Sequence, residues 1–485
     1  MSIPAPILTI SREEIPATLP GPGIQTKSDI FPLPLGPYER YMLADDTAAY
    51  PMCFMIALDL TGDLQRGPFE AALRATLARH PLFGCVVSRV PGRGWCWVPA
   101  PGLAPRLDWQ DAAIPADCAR GEQIDLTREM GVRIGVHRER GRARVSLQFH
   151  HATTDGLGSM QFIGDLLAVY GRLTAEAGED LPELEPLDPG LLPDRARMWP
   201  TARDPQRHFL ARTARRLLEV LSQFPAPIAA PAHTGPRLCG DAQSPAFVSR
   251  NFPREVYQGL RAQATARNVS VNDLLVLEMF QTIREWNCSL DRSRGRAWYR
   301  IGVPLSLRTP QDDKLPSANV LSFLFLTRRA RDCDADREDE LLQYIHGESE
   351  MVVRGDWRLM FTYAVHHLLK VPGLLRGLLR VPICQATAIL SNVGDVRRSF
   401  HARFPLRQGR CVAGNVRLEA LLGASPVRHK TRIAVSLGTY AGAFFVNMQC
   451  DRRYFAPHEA ERLVELFAER IRRRAQCETA LKIAS

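Results

Sequence analysis

Phe149-His150-His151-Ala152-Thr153-Thr154-Asp155-Gly156 is the stretch around which the rest of the chain can be arranged. The residues before it alternate, with Val145, Leu147 and Phe149 to one side and Arg144, Ser146 and Gln148 to the other. That is the period-two pattern of a half-buried strand. Behind it, Met160, Ile163, Leu166, Leu167 and Tyr170 recur at helical spacing, which predicts a helix over 159–170. The eight residues therefore fall on a strand-to-helix loop, where reactive groups can be held on a rigid frame. His150 and His151 follow an extended segment, so their side chains leave on opposite sides and only one can enter a given cavity. A neutral imidazole, with an unperturbed pKa of about 6.5, can take a proton from an alcohol, amine or thiol near neutrality. Asp155 is close enough to orient an imidazole, or to pair with an arginine that stiffens the loop. Gly156 opens backbone conformations closed to other residues and lets a substrate approach its amide. The opposed histidines disfavour chelation, and no further ligand cluster has recognisable spacing, so no metal is expected.

The spacing His-His-x-x-x-Asp-Gly resembles the HHxxxDG signature of the CoA-dependent acyltransferase superfamily, which includes peptide-synthetase condensation domains, wax ester synthases and alcohol acetyltransferases. A chance match in a chain of this length is expected on the order of once per thousand sequences, so the motif is moderately specific. The resemblance implies an α/β fold of two similar chloramphenicol-acetyltransferase-like lobes, each a mixed, mostly antiparallel sheet flanked by helices, with a tunnel between them. It makes His151 the general base and Asp155 a brace paired with a distant arginine, and it groups His150 and Gly156 with them as catalytic residues. It implies an acyl-CoA or a phosphopantetheinyl thioester on an acyl carrier protein as co-substrate, a small alcohol or amine as acceptor, and no bound cofactor. Two alternatives stand beside this: an amide-forming condensation enzyme, and an inactive homologue that binds a thioester or a partner protein.

Other segments share the resemblance. Arg79-His80-Pro81-Leu82-Phe83 and Val269-Ser270-Val271-Asn272-Asp273-Leu274-Leu275 read like the family's openings of its two lobes. His80, at a helix end before proline, reads as a capping residue. Arg308, ending an apolar strand, is the leading partner for Asp155, with Arg79 its rival. Ser391-Asn392-Val393-Gly394 resembles a segment near the tunnel; Ser391 or Asn392 would donate to an oxyanion there, or the four residues form an ordinary turn. The Asp-Phe-Gly-Trp-Gly element of the plant branch is absent from the sequence.

At 485 residues the chain exceeds the size at which one core normally keeps growing, so two domains are expected. The boundaries read as a first lobe over 1–175, a linker over 176–245 and a second lobe over 246–485. Within the linker, Arg203 to Phe224 reads as a basic helix, and the proline-bearing first thirty residues read as an irregular arm. No apolar run is long enough for a membrane span, and the start lacks a secretory pattern, which points to the cytoplasm. Eleven cysteines, an odd number with no CxxC pair, suit free thiols in a reducing compartment. The net charge of +10 suits an anionic partner, but no nucleic-acid signature accompanies it. Tyr363 to Val381 sets apolar pairs between single basic residues, as a membrane-surface helix would, giving a peripheral membrane contact. A buried helix of the second lobe is the favoured reading of that stretch. Oligomeric state leaves no trace in the sequence.

Overall fold

The computed structural model describes residues 30–115, 122–196, 218, 222–231, 246–292, 295–354 and 356–476. The thirteen strands of the two large sheets, in chain order, are β1 (Cys53–Gly62), β2 (Arg106–Gln110), β3 (Val132–Glu139), β4 (Arg142–His150), β5 (Ala246–Phe252), β6 (Trp298–Ser306), β7 (Leu321–Arg329), β8 (Ala388–Asp395), β9 (Leu406–Arg407), β10 (Arg410–Ala413), β11 (Val416–Ala424), β12 (Ile433–Tyr440) and β13 (Ala443–Cys450). One sheet runs β9-β10-β11-β1-β4-β3-β2; the other runs β7-β6-β8-β12-β13-β5. The first is antiparallel except for β2–β3. In the second, β6–β8 and β8–β12 are parallel and the rest antiparallel. Two mixed, mostly antiparallel sheets with flanking helices are the architecture expected.

β4 lies in the interior of its sheet, paired with β1 on one side and β3 on the other. Its inward residues Val145, Leu147 and Phe149 are buried with Phe162, Ile163 and Leu166 of helix α3 (Gly156–Thr174). α3 begins three residues earlier than its apolar spacing indicates because Asp155 caps it, Oδ1 accepting from the Gly158 amide at 2.8 Å. In the second lobe Ser270 caps the helix Val271–Ser289 reciprocally with Asp273, at 3.1 and 3.0 Å. The hairpin β12–β13 turns at Ala441 and Gly442, both left-handed.

Two expectations change. β9, β10 and β11 come from the second half of the chain but belong to the first sheet, β11 pairing with β1 from Val416↔Gly62 to Ala424↔Met55. A second lobe of 246–485 is therefore too simple: the chain crosses back to close the first sheet. The stretch 363–381 is two short helices, Met360–Leu368 and Leu374–Arg380, broken around Gly373 at φ +79°. It is buried on one side only. The basic helix read over Arg203 to Phe224, apart from a few residues at its end, and the first arm lie outside the described residues.

Candidate active site

Between the two sheets lies a cavity of about 1180 Å³, counting its open mouth. Phe54 and Ile56 of β1 and Leu421 of β11 face it from the first sheet; Phe323 and Phe325 of β7 and Ile389 of β8 face it from the second. Helix α1 (Pro37–Asp45) adds Tyr38, Tyr41 and Met42. The wall is apolar, and its polar groups are few.

His151 is one of them. Its amide donates to the Met52 carbonyl at 2.8 Å, which fixes the backbone as β4 ends. Its half-buried ring lies edge-on to Phe54 and Tyr38, centroids 5.0 and 5.6 Å apart. Nδ1 is buried without a hydrogen-bond partner. Burial pushes the imidazole below the ordinary histidine range, opposed by its own backbone and the charge of Asp155 and reinforced by His150. A ring so placed is neutral at pH 7, the form that can accept a proton. Tyr38 presents the second unpartnered polar atom, a buried hydroxyl, and burial raises its pKa so that it remains a donor.

His150 turns the other way and does not line the cavity. Fully buried, it accepts from the Ala152 amide on Nδ1 at 3.0 Å, so its neutral form carries the proton on Nε2, 3.8 Å from Asp46. Grouping His150 with the catalytic residues is corrected by this placement: it braces the loop from behind. Asp46 pays the cost of burial but is held below the usual carboxylate range by His150, Gln123 and the Met52 amide.

Asp155 is buried and engaged through both oxygens. Oδ2 accepts from Arg308 at 2.7 Å and from the Val320 amide at 2.8 Å, while Oδ1 caps α3. The expected pairing with Arg308 is present. Arg79 instead meets Asp165 at 2.6 Å. None of the hydrogen bonds of Asp155 goes to an imidazole, so of its two readings the structure supports the brace. Gly156 is not in the left-handed region, contrary to the reason first given for it. It opens the helix and lines the cavity, and an added Cβ would meet only Val393, at 3.8 Å. Ser391 faces the cavity from β8; its neighbour Asn392 points away and accepts from the Gly394 amide at 2.9 Å, the turn reading for that residue.

The contacts of several contributors were not visible beforehand. A loop of the second lobe, residues 315–320, clasps the motif: Asn319 Nδ2 donates to the Ala152 carbonyl at 2.7 Å, and the Thr154 and Ser317 hydroxyls lie 2.7 Å apart. The Ser317 amide donates to His80 Nδ1 at 3.0 Å, and His80 Nε2 faces Asp165 at 3.1 Å. His80 does end its helix, α2 (Arg66–Arg79), its amide bonding the Thr76 carbonyl, yet its ring is part of the contact between lobes. Gly158 lets the clasp approach: a Cβ there would stand 2.9 Å from the Ala318 carbonyl oxygen. Tyr38 carried no signal beyond being an aromatic on a short helix.

With this geometry in place, the likeness to known structures is interpretable. The starter condensation domain of rhizomide synthetase RzmA, in complex with C8-CoA and Leu-SNAC, superposes with a TM-score of 0.62 at 14% identity, over 91% of this chain and 94% of that one. TRI3 trichothecene 15-O-acetyltransferase from Fusarium sporotrichioides gives 0.64 at 11%, over 91% and 94%. The first condensation domain of the CDA synthetase gives 0.64 at 15%, over 91% and 95%. The chain shares the fold of these condensation domains and of this acetyltransferase. No family model matches the chain, and no curated protein matches it by sequence. At these identities the likeness speaks for the fold, and the chemistry has to be argued from the residues in the cavity.

Proposed function

We propose that the protein is an acyltransferase that moves an acyl group from a CoA or carrier-protein thioester to a hydroxyl or amine. The observation that carries this reading is His151: a neutral imidazole on the wall of a cavity built by both lobes. In the proposed reaction His151 takes the proton from the acceptor as its oxygen or nitrogen bonds to the thioester carbon. The tetrahedral oxyanion is stabilised by a donor in the wall; Ser391 and the unpartnered Tyr38 hydroxyl are the candidates. The carbon–sulfur bond then breaks, and the thiolate leaves with the proton returned from His151. Atoms and charge balance without a covalent enzyme intermediate.

The wall also bears on substrate class. Phe54, Phe323, Phe325, Phe361 and Met160 present apolar surface, which favours an apolar acyl chain or acceptor over a polar one.

Purified protein incubated with short-, medium- and long-chain acyl-CoA thioesters and a panel of alcohols and amines should release free thiol together with an acylated product. His151→Ala should lower turnover by roughly 10²–10⁴, the usual contribution of a positioned base, with an unchanged melting temperature. Thiol release that persists undiminished in that variant removes the mechanism. Absence of thiol release across CoA and carrier-protein donors would leave a binding protein instead.

A further inference from the structure

The apolar side chains that the fold leaves exposed are not scattered. Of the thirteen large ones exposed among the described residues, five fall between positions 371 and 383: Val371, Leu374, Leu378, Val381 and Ile383, each 36–53% exposed. The helix Leu374–Arg380 explains how they are displayed. Leu375 and Leu379 form an inward stripe packed in the cluster that holds Tyr41 and Met42. Leu374 and Leu378, four apart and followed by Val381, form an outward stripe that nothing covers among the described residues. Arg376 and Arg380, again four apart, form an exposed basic stripe, and Lys370 is exposed just before the helix. None of these three cations makes an ion pair among the described residues. From Trp357 to Gly394 the sequence has no Asp or Glu at all.

We propose that this face docks on the surface of an anionic lipid bilayer, its aliphatic side chains entering the headgroup boundary and its cations meeting the lipid phosphates. A cluster of protruding aliphatic groups flanked by unpaired cations is what such a surface rewards. No helix among the described residues is long and apolar enough to cross a membrane, so the contact is peripheral. The face also adjoins the cavity. Its helix packs on α1, which supplies Tyr38, Tyr41 and Met42 to the wall, and Ile383 is followed by the wall residues Gln385 and Ala386. An apolar cavity beside a lipid-seeking face points to a substrate drawn from the membrane. An acidic carrier protein would also meet the cations, but five exposed aliphatic side chains favour the bilayer.

The full chain should co-float with vesicles of phosphatidylcholine mixed with phosphatidylglycerol and should bind pure phosphatidylcholine much more weakly. Arg376→Gln with Arg380→Gln should cut partition roughly 30-fold, at about 1 kcal/mol per basic side chain near an anionic surface. Leu374→Ser with Leu378→Ser should cut it by roughly tenfold or more. Leu406→Ser, more exposed than either leucine but on a strand of the first sheet, should leave it unchanged. All five positions are solvent-facing, so melting temperatures should not move. The readout needs no turnover and stands apart from the acyl-transfer assay. Wild-type protein that ignores anionic vesicles overturns the proposal, as do patch variants that bind like the wild type. Binding of an acidic acyl carrier protein that depends on the patch, without vesicle binding, would assign the face to a protein partner and overturn it too.

Discussion

Removing Arg308 is the sharpest test of how the two lobes hold the motif in place. Asp155 is 2% exposed and takes three hydrogen bonds: one from its own helix, at Gly158, and two from the second lobe, at Arg308 and Val320. Arg308→Ala strips one of the two and leaves a buried carboxylate supported by neutral amides. It also takes the donor from the Ala318 carbonyl in the clasp, bonded at 2.9 Å. Breaking a buried ion pair by deleting one partner costs roughly 3–5 kcal/mol. The remaining amides and the partial exposure of Arg308, 18% at the side chain, place this case at the low end, about 3 kcal/mol. Asp155→Asn removes the charge instead, and the double variant no longer strands a buried carboxylate. Its loss should therefore fall short of the sum of the singles by at least about 1 kcal/mol. Loosening the clasp also displaces the loop that carries His151, and a shift of about 1 Å at a reacting group costs on the order of 10²-fold in rate. Denaturant unfolding of the four proteins gives the coupling, and thiol release gives kcat and KM. Additive stabilities together with an unchanged kcat in Arg308→Ala would refute the brace.

Two further outcomes follow from the same geometry. Because burial holds the His151 pKa below its ordinary value, the acid limb of kcat/KM against pH should fall below pH 6.5. The stability contribution has the same sign: the unfolded chain takes up the proton first, so it is fully present above the unfolded value of about 6.5 and is lost as pH falls toward the folded one, visible as a melting temperature that drops with pH less steeply in His151→Ala. Gly158→Ala should destabilise by roughly 1–3 kcal/mol, since its Cβ would press on the Ala318 carbonyl oxygen and the Thr154 hydroxyl; normal stability in that variant would mean the clasp can retreat freely.

How much of this was readable in the letters depends on how far apart the interacting pieces lie. The strand and helix around His151 announce themselves because each is a local period, and the histidines diverge because a strand alternates. The Asp155–Arg308 pair was reached through the resemblance, and the contact joins residues 153 apart. The crossover strand β11 escaped notice for a physical reason. Val416-Arg417-Leu418 alternates, but a register shift between Leu418 and Ala420 breaks the pattern, and Ala420-Leu421-Leu422 then suits helix as well as strand. Its partner β1 lies more than three hundred residues away in the sequence. Gly158 and the 315–320 loop were silent because only the docked lobes show what presses on what. The face at 371–383 was half legible: its basic and apolar stripes are in the sequence, but which stripe turns inward is decided by packing against α1.

The engagement of Asp155 has a chemical consequence. A carboxylate that receives an imidazole N–H raises its basicity and fixes its tautomer, but here both carboxylate oxygens are bound elsewhere, and His151 Nδ1 has no hydrogen-bond partner. The base therefore works without a carboxylate orienting it by contact; its position comes from the Met52 carbonyl and from packing against Phe54 and Tyr38. Asp155 still acts on it through space, its charge favouring the protonated ring. Arg308 neutralises much of that charge. Arg308→Ala should then shift the acid limb of kcat/KM upward toward pH 6.5, a change that a purely structural brace would not produce. A variant that loses rate with the limb unmoved would confine Arg308 to positioning the loop.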